Sequence, residues 1–442
     1  MRAVLGANLT IYAPGPYRTR LLQLATFKRK GRVPKGQKRI VRLYHSDRKR
    51  VVLPRGLLAQ AQEAAPLEVQ DRRLRLPEVD FGWHGKLRPE QSDAVYPLAK
   101  AGGGVLLAFT GAGKTEMGMA LIASWRQPAL WIVHTKPLFE DARERARRLY
   151  NVPARAIGQI GSSEFMPGSH LTVAMVQTLA RCTTREWELL RKHFGTIVID
   201  ECHHTPAMTV ARVVSRFPAV HRLGLTATPN RPDGLAPLLF GVLGSNYSQV
   251  SFRRLLQAGR VVLPTVHMVR TGWRYDGEGD FNELQKARAG SSNRNALICR
   301  TATQEHRKGR RVLIVVTLRS HARLIALLLR KRYHVPAFPL VGGVQSGVRR
   351  KCEELAAAGK LVLVATRLIN EGWNVPAMDC LIMGSAGRSP LEQAHQIGRI
   401  VRSHDGKTDA VVYDFVDDLV DTLRDQATDR LEGYRAIGLK VS

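Results

Sequence analysis

Short apolar runs alternate with longer helix-length stretches from residue 87 almost to the carboxyl terminus. Apolar runs bounded by polar turns are typical of strands that are buried on both faces of a parallel sheet. The rhythm occurs twice, with runs at 105–109, 129–134, 171–175, 196–200 and 222–226, and again at 312–317, 337–341, 361–365, 380–383 and 410–415. The pattern predicts an α/β protein with two doubly wound parallel-sheet domains in tandem, which bind ligands at the carboxyl ends of their strands.

The first 82 residues follow a different pattern. Short β-like runs at 40–44 and 51–53 are broken by Pro-Gly clusters, which is typical of a small β-rich domain. A Gly- and Pro-containing stretch later separates the two rhythms. We therefore predict a β-rich amino-terminal module at 1–82 with a linker around 77–85, a first lobe at 86–244 and a second lobe at 246–442.

Basic residues dominate the charge of the chain. There are 68 Lys and Arg residues against 37 Asp and Glu, which gives a formal net charge of +31. Residues 18–55 hold fourteen basic side chains and a single acid, Asp47. Such a field attracts polyanions, and the segment lacks the broad apolar helix face that a membrane-surface segment needs. We expect this module to bind nucleic acid, and we interpret the acid-rich stretch at 405–432 as a solvated face.

Other features of the composition narrow the class of protein. No apolar run approaches the ~20 residues that span a bilayer, and the start of the chain does not resemble a secretion signal. The five cysteines are scattered without metal or redox spacing, which indicates reduced thiols. We expect a cytoplasmic protein of bacterial or phage type that does not bind membranes.

A glycine-rich segment follows the first apolar run. Between a buried strand and a helix, such a turn points backbone N–H groups at a phosphate. Lys114 would reach the terminal phosphates and the Thr115 hydroxyl would hold Mg²⁺. Ala108 stands where the usual pattern has glycine, so the bare pattern is only partly met. The candidate phosphate loop consists of Thr110, Gly111, Ala112, Gly113, Lys114 and Thr115.

Two further groups of residues complete the candidate chemistry. Asp200 and Glu201 follow the 196–200 run, where Asp200 could bind a metal and Glu201 could activate water; a helix cap is the plainer alternative. In the second lobe, Arg399 and Arg402 are three residues apart and would share a helix face. An arginine from that lobe could stabilise charge on a γ-phosphate, whereas a surface patch is the structural alternative.

Six segments, in this order, resemble the motifs of the superfamily-two helicases and translocases over roughly residues 86–415. They are Leu87-Arg88-Pro89-Glu90-Gln91, the phosphate loop, the DEAH-like box at 200–203, and the segments 225–229, 364–376 and 396–402. The resemblance implies two RecA-like lobes, with ATP and Mg²⁺ as cofactors in the cleft between them. An alanine at the position of Ala108 is common in this superfamily.

The resemblance also implies a role for each matching residue. Adenine would be read by Gln91, and the phosphates would be bound by the phosphate loop. Thr115 and Asp200 would bind the metal, and Gln396 would sense the γ-phosphate. The catalytic residues would be Lys114, Glu201, Arg399 and Arg402. The residues that would couple the nucleotide state to nucleic-acid binding are His203, Thr226, Thr228 and Gly372.

The residues of these motifs are most similar to those of excision-repair and phage branch-migration translocases and of restriction-enzyme motor subunits. This implies an ATP-dependent DNA helicase or translocase that acts on forks, branched or duplex DNA. DNA is favoured over RNA as the partner, with contacts mainly to phosphates. The loops expected to make them lie at 134–136, 176–178, 317–319 and 366–367. An RNA helicase and a restriction-type motor subunit remain alternatives, although no nuclease or methyltransferase motif is present.

Overall fold

A computed structural model describes most of the chain, and its contacts divide it into two compact units. The first unit comprises Met1–Ser251 and the second Phe252–Ser442. Within the described residues, no helix is long and apolar enough to cross a bilayer. The described residues are 1–29, 38–202, 207–227, 234–277, 280–366, 375–388 and 390–442.

The amino-terminal part of the first unit contains a five-stranded sheet, a separate two-stranded hairpin and two helices. Its elements are β1 (Arg2–Leu5), β2 (Leu9–Tyr12), α1 (Arg18–Leu24), β3 (Thr26–Lys28), β4 (Ile40–Arg42), β5 (His45–Ser46), β6 (Arg50–Leu53), α2 (Leu58–Ala64) and β7 (Glu68–Asp71). The sheet order is β5-β6-β2-β1-β7, and β3 pairs with β4. Alternate strand residues point inward onto the helices, which bury Leu9, Ile11 and Val51 completely. The predicted β-rich module therefore has seven strands in its described residues, and it also contains two short helices that the sequence pattern did not indicate.

An irregular segment of residues 72–88, here called the strap, connects this module to the next sheet. Leu74 forms an isolated parallel bridge with Ala219. The ring of Phe81 is buried and lies 4.8 Å from the ring of Tyr150, centroid to centroid. The predicted linker is therefore a packed strap along the first sheet and not a free connection.

The larger part of the first unit is an eight-stranded sheet flanked by helices. Its strand order is β11-β10-β12-β9-β13-β14-β8-β15, in which β11 is antiparallel to β10 and the remaining pairs are parallel. The elements are α3 (Pro89–Ala101), β8 (Gly103–Ala108), α4 (Lys114–Trp125), β9 (Ala129–Val133), α5 (Lys136–Leu149), β10 (Ile157–Gly161), β11 (Glu164–Met166), β12 (Leu171–Met175), α6 (Val176–Leu179), α7 (Thr184–His193), β13 (Thr196–Ile199), α8 (Ala207–Val214), β14 (His221–Thr226), α9 (Ala236–Leu243) and β15 (Tyr247–Val250).

All five strands predicted in the first rhythm are present and parallel to one another. Every residue of β8, β13 and β14 is buried, as expected for strands covered on both faces. The sequence pattern did not indicate β10, β11 or β15. The last of these lies beyond the predicted end of the first lobe at residue 244, yet it pairs with β8. The proposed division into three domains stays a prediction.

The second unit is built around a seven-stranded parallel sheet of order β18-β19-β17-β20-β21-β16-β22. The five strands predicted in the second rhythm are present, and β16 and β22 are additional. The elements are α10 (Phe252–Gln257), β16 (Pro264–Arg270), α11 (Phe281–Gly290), α12 (Ser292–Arg307), β17 (Val312–Val315), α13 (Arg319–Arg332), β18 (Ala337–Leu340), α14 (Ser346–Ala357), β19 (Val362–Ala365), β20 (Cys380–Met383), α15 (Pro390–Ile400), β21 (Ala410–Val416), α16 (Asp421–Ala436) and β22 (Lys440–Val441). The predicted α/β fold with parallel-sheet domains is confirmed.

The acid-rich stretch near the carboxyl terminus is not wholly the solvated face that we predicted. Asp417 is buried between two arginines, with Arg288 Nε 2.6 Å from Oδ2 and Arg294 Nε 2.9 Å from Oδ1. Asp414 is buried against Arg430, whose Nε lies 2.7 Å from its Oδ2. Burial alone would raise the pKa of Asp417, but the two guanidinium groups outweigh it and hold the pKa below its ordinary value.

Asparagine at position 417 should strongly destabilise the second unit. The substitution leaves two buried guanidinium groups without their counter-charge, which costs about 3–5 kcal/mol for a broken buried pair. Urea denaturation of the Asp417→Asn chain should show a correspondingly earlier transition. Asp421→Asn is the matched control, because the Asp421 side chain is 85% exposed and pairs with Arg424 on its own helix. Equal midpoints for the two variants would show that the buried pairs do not stabilise the fold.

Candidate nucleotide-binding site

The predicted nucleotide residues of the first unit meet at the carboxyl edge of its sheet. The phosphate loop follows β8, and Asp200 follows β13; β14 is the one strand between them in the sheet order. Because parallel strands end at the same edge, residues far apart in sequence become neighbours. Lys114 Nζ lies 3.0 Å from Glu201 Oε1. The structure therefore brings together the loop lysine and the candidate catalytic base.

The phosphate loop turns sharply between β8 and α4. Gly111 and Gly113 have φ angles of 92° and 84°, in the left-handed region that favours glycine. The Ala112 N–H donates to the Phe109 carbonyl at 3.0 Å and closes the turn. Lys114 is the first residue of α4, so the loop leads into a helix amino terminus, where backbone N–H groups and the helix dipole favour an anion.

Two side chains from the start of α3 hold the phosphate loop from behind. Gln91 Nε2 donates to the Ala112 carbonyl at 2.8 Å, and Arg88 Nη2 donates to the same oxygen at 2.9 Å. Gln91 Oε1 in turn accepts the Arg88 N–H at 2.9 Å, which caps the helix. The sequence prediction assigned Gln91 to the site but missed Arg88, because the bond from its side chain to the Ala112 carbonyl depends on how α3 packs against the loop.

The acidic pair occupies a buried and strained position. Asp200 is 5% exposed, and its Oδ1 accepts the Glu201 N–H at 2.9 Å. Glu201 has a φ of 45°, which is uncommon for a residue other than glycine and is often found at functional sites. Burial, followed by the neighbouring charge of Glu201, raises the pKa of Asp200 to about 7, and Lys114 opposes the shift.

An ion-pair network beside the site was not foreseen from the sequence. Arg145 on α5 pairs with Asp141 on the same helix, with 2.8 Å between Arg145 Nε and Asp141 Oδ2. It also pairs with Glu116 in the first turn of α4. Asp141 contributes to the raised pKa of Asp200, so the network lies within electrostatic reach of the acidic pair. The i, i+4 spacing of Asp141 and Arg145 is visible in the sequence, but the link to Glu116 depends on how the two helices pack.

The threonines of the site differ in their surroundings. Thr110 is 5% exposed, and its Oγ1 has no hydrogen-bond partner in the described part of the chain. Thr115 is half-buried in the first turn of α4. Thr226 is buried at the end of β14, the strand that lies between the two halves of the site. Hydroxyl and carboxylate oxygens therefore cluster at this edge, and these are the ligands that Mg²⁺ prefers.

We expected the two arginines predicted for the second unit to share one helix face, but they do not. Gln396 and Arg399 are on α15 and are buried. The helix ends at Ile400, and Arg402 instead forms an isolated antiparallel bridge with Val261. Pairing with this segment draws the backbone out of the helix before the second arginine. Three predicted coupling residues, His203, Thr228 and Gly372, lie outside the described residues.

Two of the loops expected to contact nucleic acid are joined at the carboxyl edge of the first sheet. The segment 134–136 follows β9 and leads into α5, and the segment 176–178 follows β12, the adjacent strand, and is the first turn of α6 rather than a loop. Gln177 Nε2 donates to the His134 carbonyl at 2.9 Å. These two segments, here called the tracking loops, therefore share the sheet edge of the phosphate loop. In the second unit, Thr317 donates to the Ser385 carbonyl at 3.1 Å, and Arg367 lies outside the described residues.

A phosphate loop and a strand-end Asp-Glu pair on a parallel sheet define a P-loop ATPase, and the second parallel sheet is typical of a two-domain motor. Residues 84–231 match the family model for the res subunit of type III restriction enzymes, and residues 293–404 match that for the helicase conserved C-terminal domain. The chain belongs to superfamily two of the helicases and is an ATP-hydrolysing helicase.

Individual relatives agree with this assignment. The putative ATP-dependent RNA helicase L396 of Acanthamoeba polyphaga mimivirus is 24% identical over 80% of this chain and 68% of its own length. The putative DNA 3'-5' helicase Rad25 of Halobacterium salinarum is 28% identical over 72% of this chain, which spans about half, 52%, of that relative. The fragment structure of a putative HsdR subunit of a type I restriction enzyme from Vibrio vulnificus has a TM-score of 0.58 at 18% identity, over 80% of this chain and 68% of that one, and supports the fold.

Alanine at position 113 should weaken ATP binding about tenfold, which corresponds to roughly 1.4 kcal/mol. A Cβ atom there would collide with the Gln91 amide nitrogen and would also strain the left-handed backbone. The affinity is measured by titration with a fluorescent ATP analogue. Gly259→Ala is the control, because Gly259 also has a positive φ, of 65°, but no atom lies within 4 Å of its added Cβ. Unchanged ATP affinity in Gly113→Ala would refute a role for the contact with Gln91.

Proposed function

We propose that this chain is a DNA helicase or translocase that uses ATP hydrolysis to move along or remodel forks, branched or duplex DNA. The observation that carries the proposal is the convergence of Lys114, Asp200 and Glu201 at one buried sheet edge. The strongly basic composition supports a polyanionic track, because positive charge attracts nucleic acid and speeds encounter with it. Contacts mainly to phosphates would make this movement independent of sequence.

The arrangement supports specific steps for the hydrolysis. Lys114 is paired with Glu201 in the structure. A triphosphate in the loop competes for the Lys114 ammonium, so Glu201 becomes available to a water molecule. Glu201 accepts a proton from this water as its oxygen bonds to the γ-phosphorus, while the bond from that phosphorus to the ADP oxygen breaks. The released phosphate and ADP then leave, and the ion pair re-forms.

The site also suits the divalent ion that the family uses with ATP. Thr115 and Asp200 would hold Mg²⁺, because both offer oxygen ligands at the carboxyl edge of the sheet. When bound, the ion would neutralise charge on the phosphates. Asp200 is favourable for this role, since its burial disfavours a lone negative charge and a nearby cation would compensate that cost.

The remaining assignments rest on the superfamily resemblance. Gln91 would read the adenine from its position behind the phosphate loop. From the second unit, Gln396, Arg399 and Arg402 would sense the γ-phosphate. Because Arg399 is on α15 and Arg402 lies on a bridged segment beyond it, we propose that the two guanidinium groups are positioned separately. Changes of nucleotide state would reach the nucleic-acid contacts through His203, Thr226, Thr228 and Gly372.

Two kinds of nucleic acid are represented among the named relatives. The name of Rad25 describes a DNA helicase and that of L396 an RNA helicase. We favour DNA because the motif wording is most similar to DNA translocases and restriction-enzyme motors. The match of residues 84–231 to the restriction-enzyme res family also supports the alternative of a motor subunit in a restriction-type complex.

Glutamine at position 201 should abolish most ATP hydrolysis and leave ATP binding intact. Removal of a general base typically lowers the rate about 10²–10⁴-fold, whereas the amide keeps the size of the side chain. Single-turnover phosphate release and nucleotide titration would measure the two effects separately. Glu188→Gln, an exposed position on α7, is the control and should hydrolyse ATP normally. Hydrolysis by the Glu201→Gln chain at the wild-type rate would show that the base is misassigned.

Stimulation of the ATPase should be greater with DNA than with RNA of the same length. The measurement compares steady-state phosphate release with single-stranded DNA, duplex DNA, forked DNA and RNA, all at one salt concentration because phosphate contacts are salt-dependent. Strand-displacement and branch-migration assays on the same forks then separate unwinding from translocation. Stimulation by RNA alone would favour the RNA-helicase alternative over our proposal.

A further inference from the structure

The basic hairpin formed by β3 and β4 is fixed to the first motor sheet. Its inward residues, Phe27 and Val41, belong to the hydrophobic core that surrounds α9. Phe27 lies so close to Gly241 on α9 that an added Cβ there would contact its ring. The strands pair with Phe27 opposite Val41, so both apolar residues leave by the same face. The hairpin is thus attached through one face, and the other face is available to a partner.

The outward face of the hairpin carries only positive charge. Lys28 and Arg42 lie on this face, Lys38 and Arg39 lie just before β4, and all four are exposed. None of the four forms an ion pair with a residue that the structure describes. The sequence contains no acid between residues 18 and 46. Ile40 is the exposed apolar residue on this face, with 46% of its surface exposed. The described residues of this face include no aromatic ring on which a base could stack. Such a face suits a phosphate backbone better than unstacked bases.

The module that carries the hairpin is docked at the amino-terminal edge of the first sheet. Arg222, at the start of β14, is buried and donates to the carbonyls of Ala7 at 2.6 Å, Phe217 at 2.8 Å and Val242 at 2.9 Å. Arg55 of the module donates to the Val220 carbonyl at 3.2 Å, just before the same strand. These bonds join the module to the edge opposite the phosphate loop.

The close approach of backbones at the same interface leaves no room for sliding. A Cβ added at Gly56 of the module would collide with the carbonyl oxygens of Phe240 and Gly241 on α9. The six-residue β8 separates the two edges by about 20 Å at ~3.3 Å per residue. The hairpin and the tracking loops are therefore at different, rigidly spaced ends of one sheet.

We propose that the outward face of β3–β4 is a second nucleic-acid contact, which binds the phosphate backbone of duplex DNA at the amino edge of the first sheet. The inference rests on the proposed function, because it assumes that the motor engages DNA at the tracking loops. The two contacts are separate, so a duplex that reaches both must exceed the ~20 Å between the edges, or about six base pairs at 3.4 Å each. A shorter duplex engages the tracking loops alone.

The test removes the four exposed charges of the hairpin and the residues next to it by substituting Lys28, Lys38, Arg39 and Arg42 together with glutamine. Binding by fluorescence anisotropy and stimulation of the ATPase are measured with a duplex of about 40 base pairs and one of about 6. With the long duplex, the concentration for half-maximal stimulation should rise about tenfold or more. The salt slope of binding should fall by up to about 0.9 for each phosphate that the face no longer neutralises. With the short duplex, half-maximal stimulation should stay unchanged, as should hydrolysis without DNA.

The matched control removes four exposed charges of the same module away from the hairpin: Arg2, Arg20, Arg48 and Lys49, also to glutamine. Equal losses in the two variants would mean that only the overall field matters and would overturn the proposal. Equal losses with both duplex lengths would place the hairpin among the tracking contacts, which also overturns it. If no nucleic acid stimulates the wild-type ATPase, the proposed function fails; a loss of long-duplex binding confined to the hairpin variant would still support this contact.

Discussion

The parallel pairing of β8, β14 and β13 is the constraint on which the nucleotide site depends. These strands are buried on both faces, so their backbone groups must be satisfied by their neighbours, which fixes the register. The fixed register places the phosphate loop and the acidic pair at one edge, where Lys114 meets Glu201. Burial at this edge, together with the neighbouring charge of Glu201, raises the pKa of Asp200. The site is thus built so that a bound cation relieves an unfavourable arrangement.

The geometry at this edge also depends on side-chain contacts that the motifs alone do not reveal. Arg88 and Gln91 bond one carbonyl of the phosphate loop, and Arg145 connects α5 to the first turn of α4. The strained backbone of Glu201 persists because its surroundings determine it. The geometry of the candidate base is therefore set by the strand, the following turn and the lysine opposite.

The sequence predicted those parts of the molecule that local patterns determine. The ten strands of the two rhythms were visible because a strand buried on both faces is a continuous apolar run, and the phosphate loop was visible because its glycines are a local requirement. The strand β15 was missed because its residues, such as Tyr247 and Gln249, are exposed or polar at a sheet edge. The burial of Asp417 depends on arginines that are more than a hundred residues away in the sequence. The position of Arg402 likewise depends on a bridge to the distant Val261. No periodicity in the sequence carries that information.

The amino-terminal module extends the same constraint to the opposite edge of the first sheet. Arg222 is buried, and burial lowers its pKa to about 9, yet it remains charged at neutral pH and bonds three carbonyls. Removing one of these carbonyl partners would leave a buried cation underbonded, which is costly. The module is therefore coupled to β14, the strand that also ends at Thr226 between the two halves of the nucleotide site. Because one rigid strand connects the docking surface with the nucleotide edge, any movement of this sheet moves the hairpin with it, and DNA held there would be displaced together with the motor.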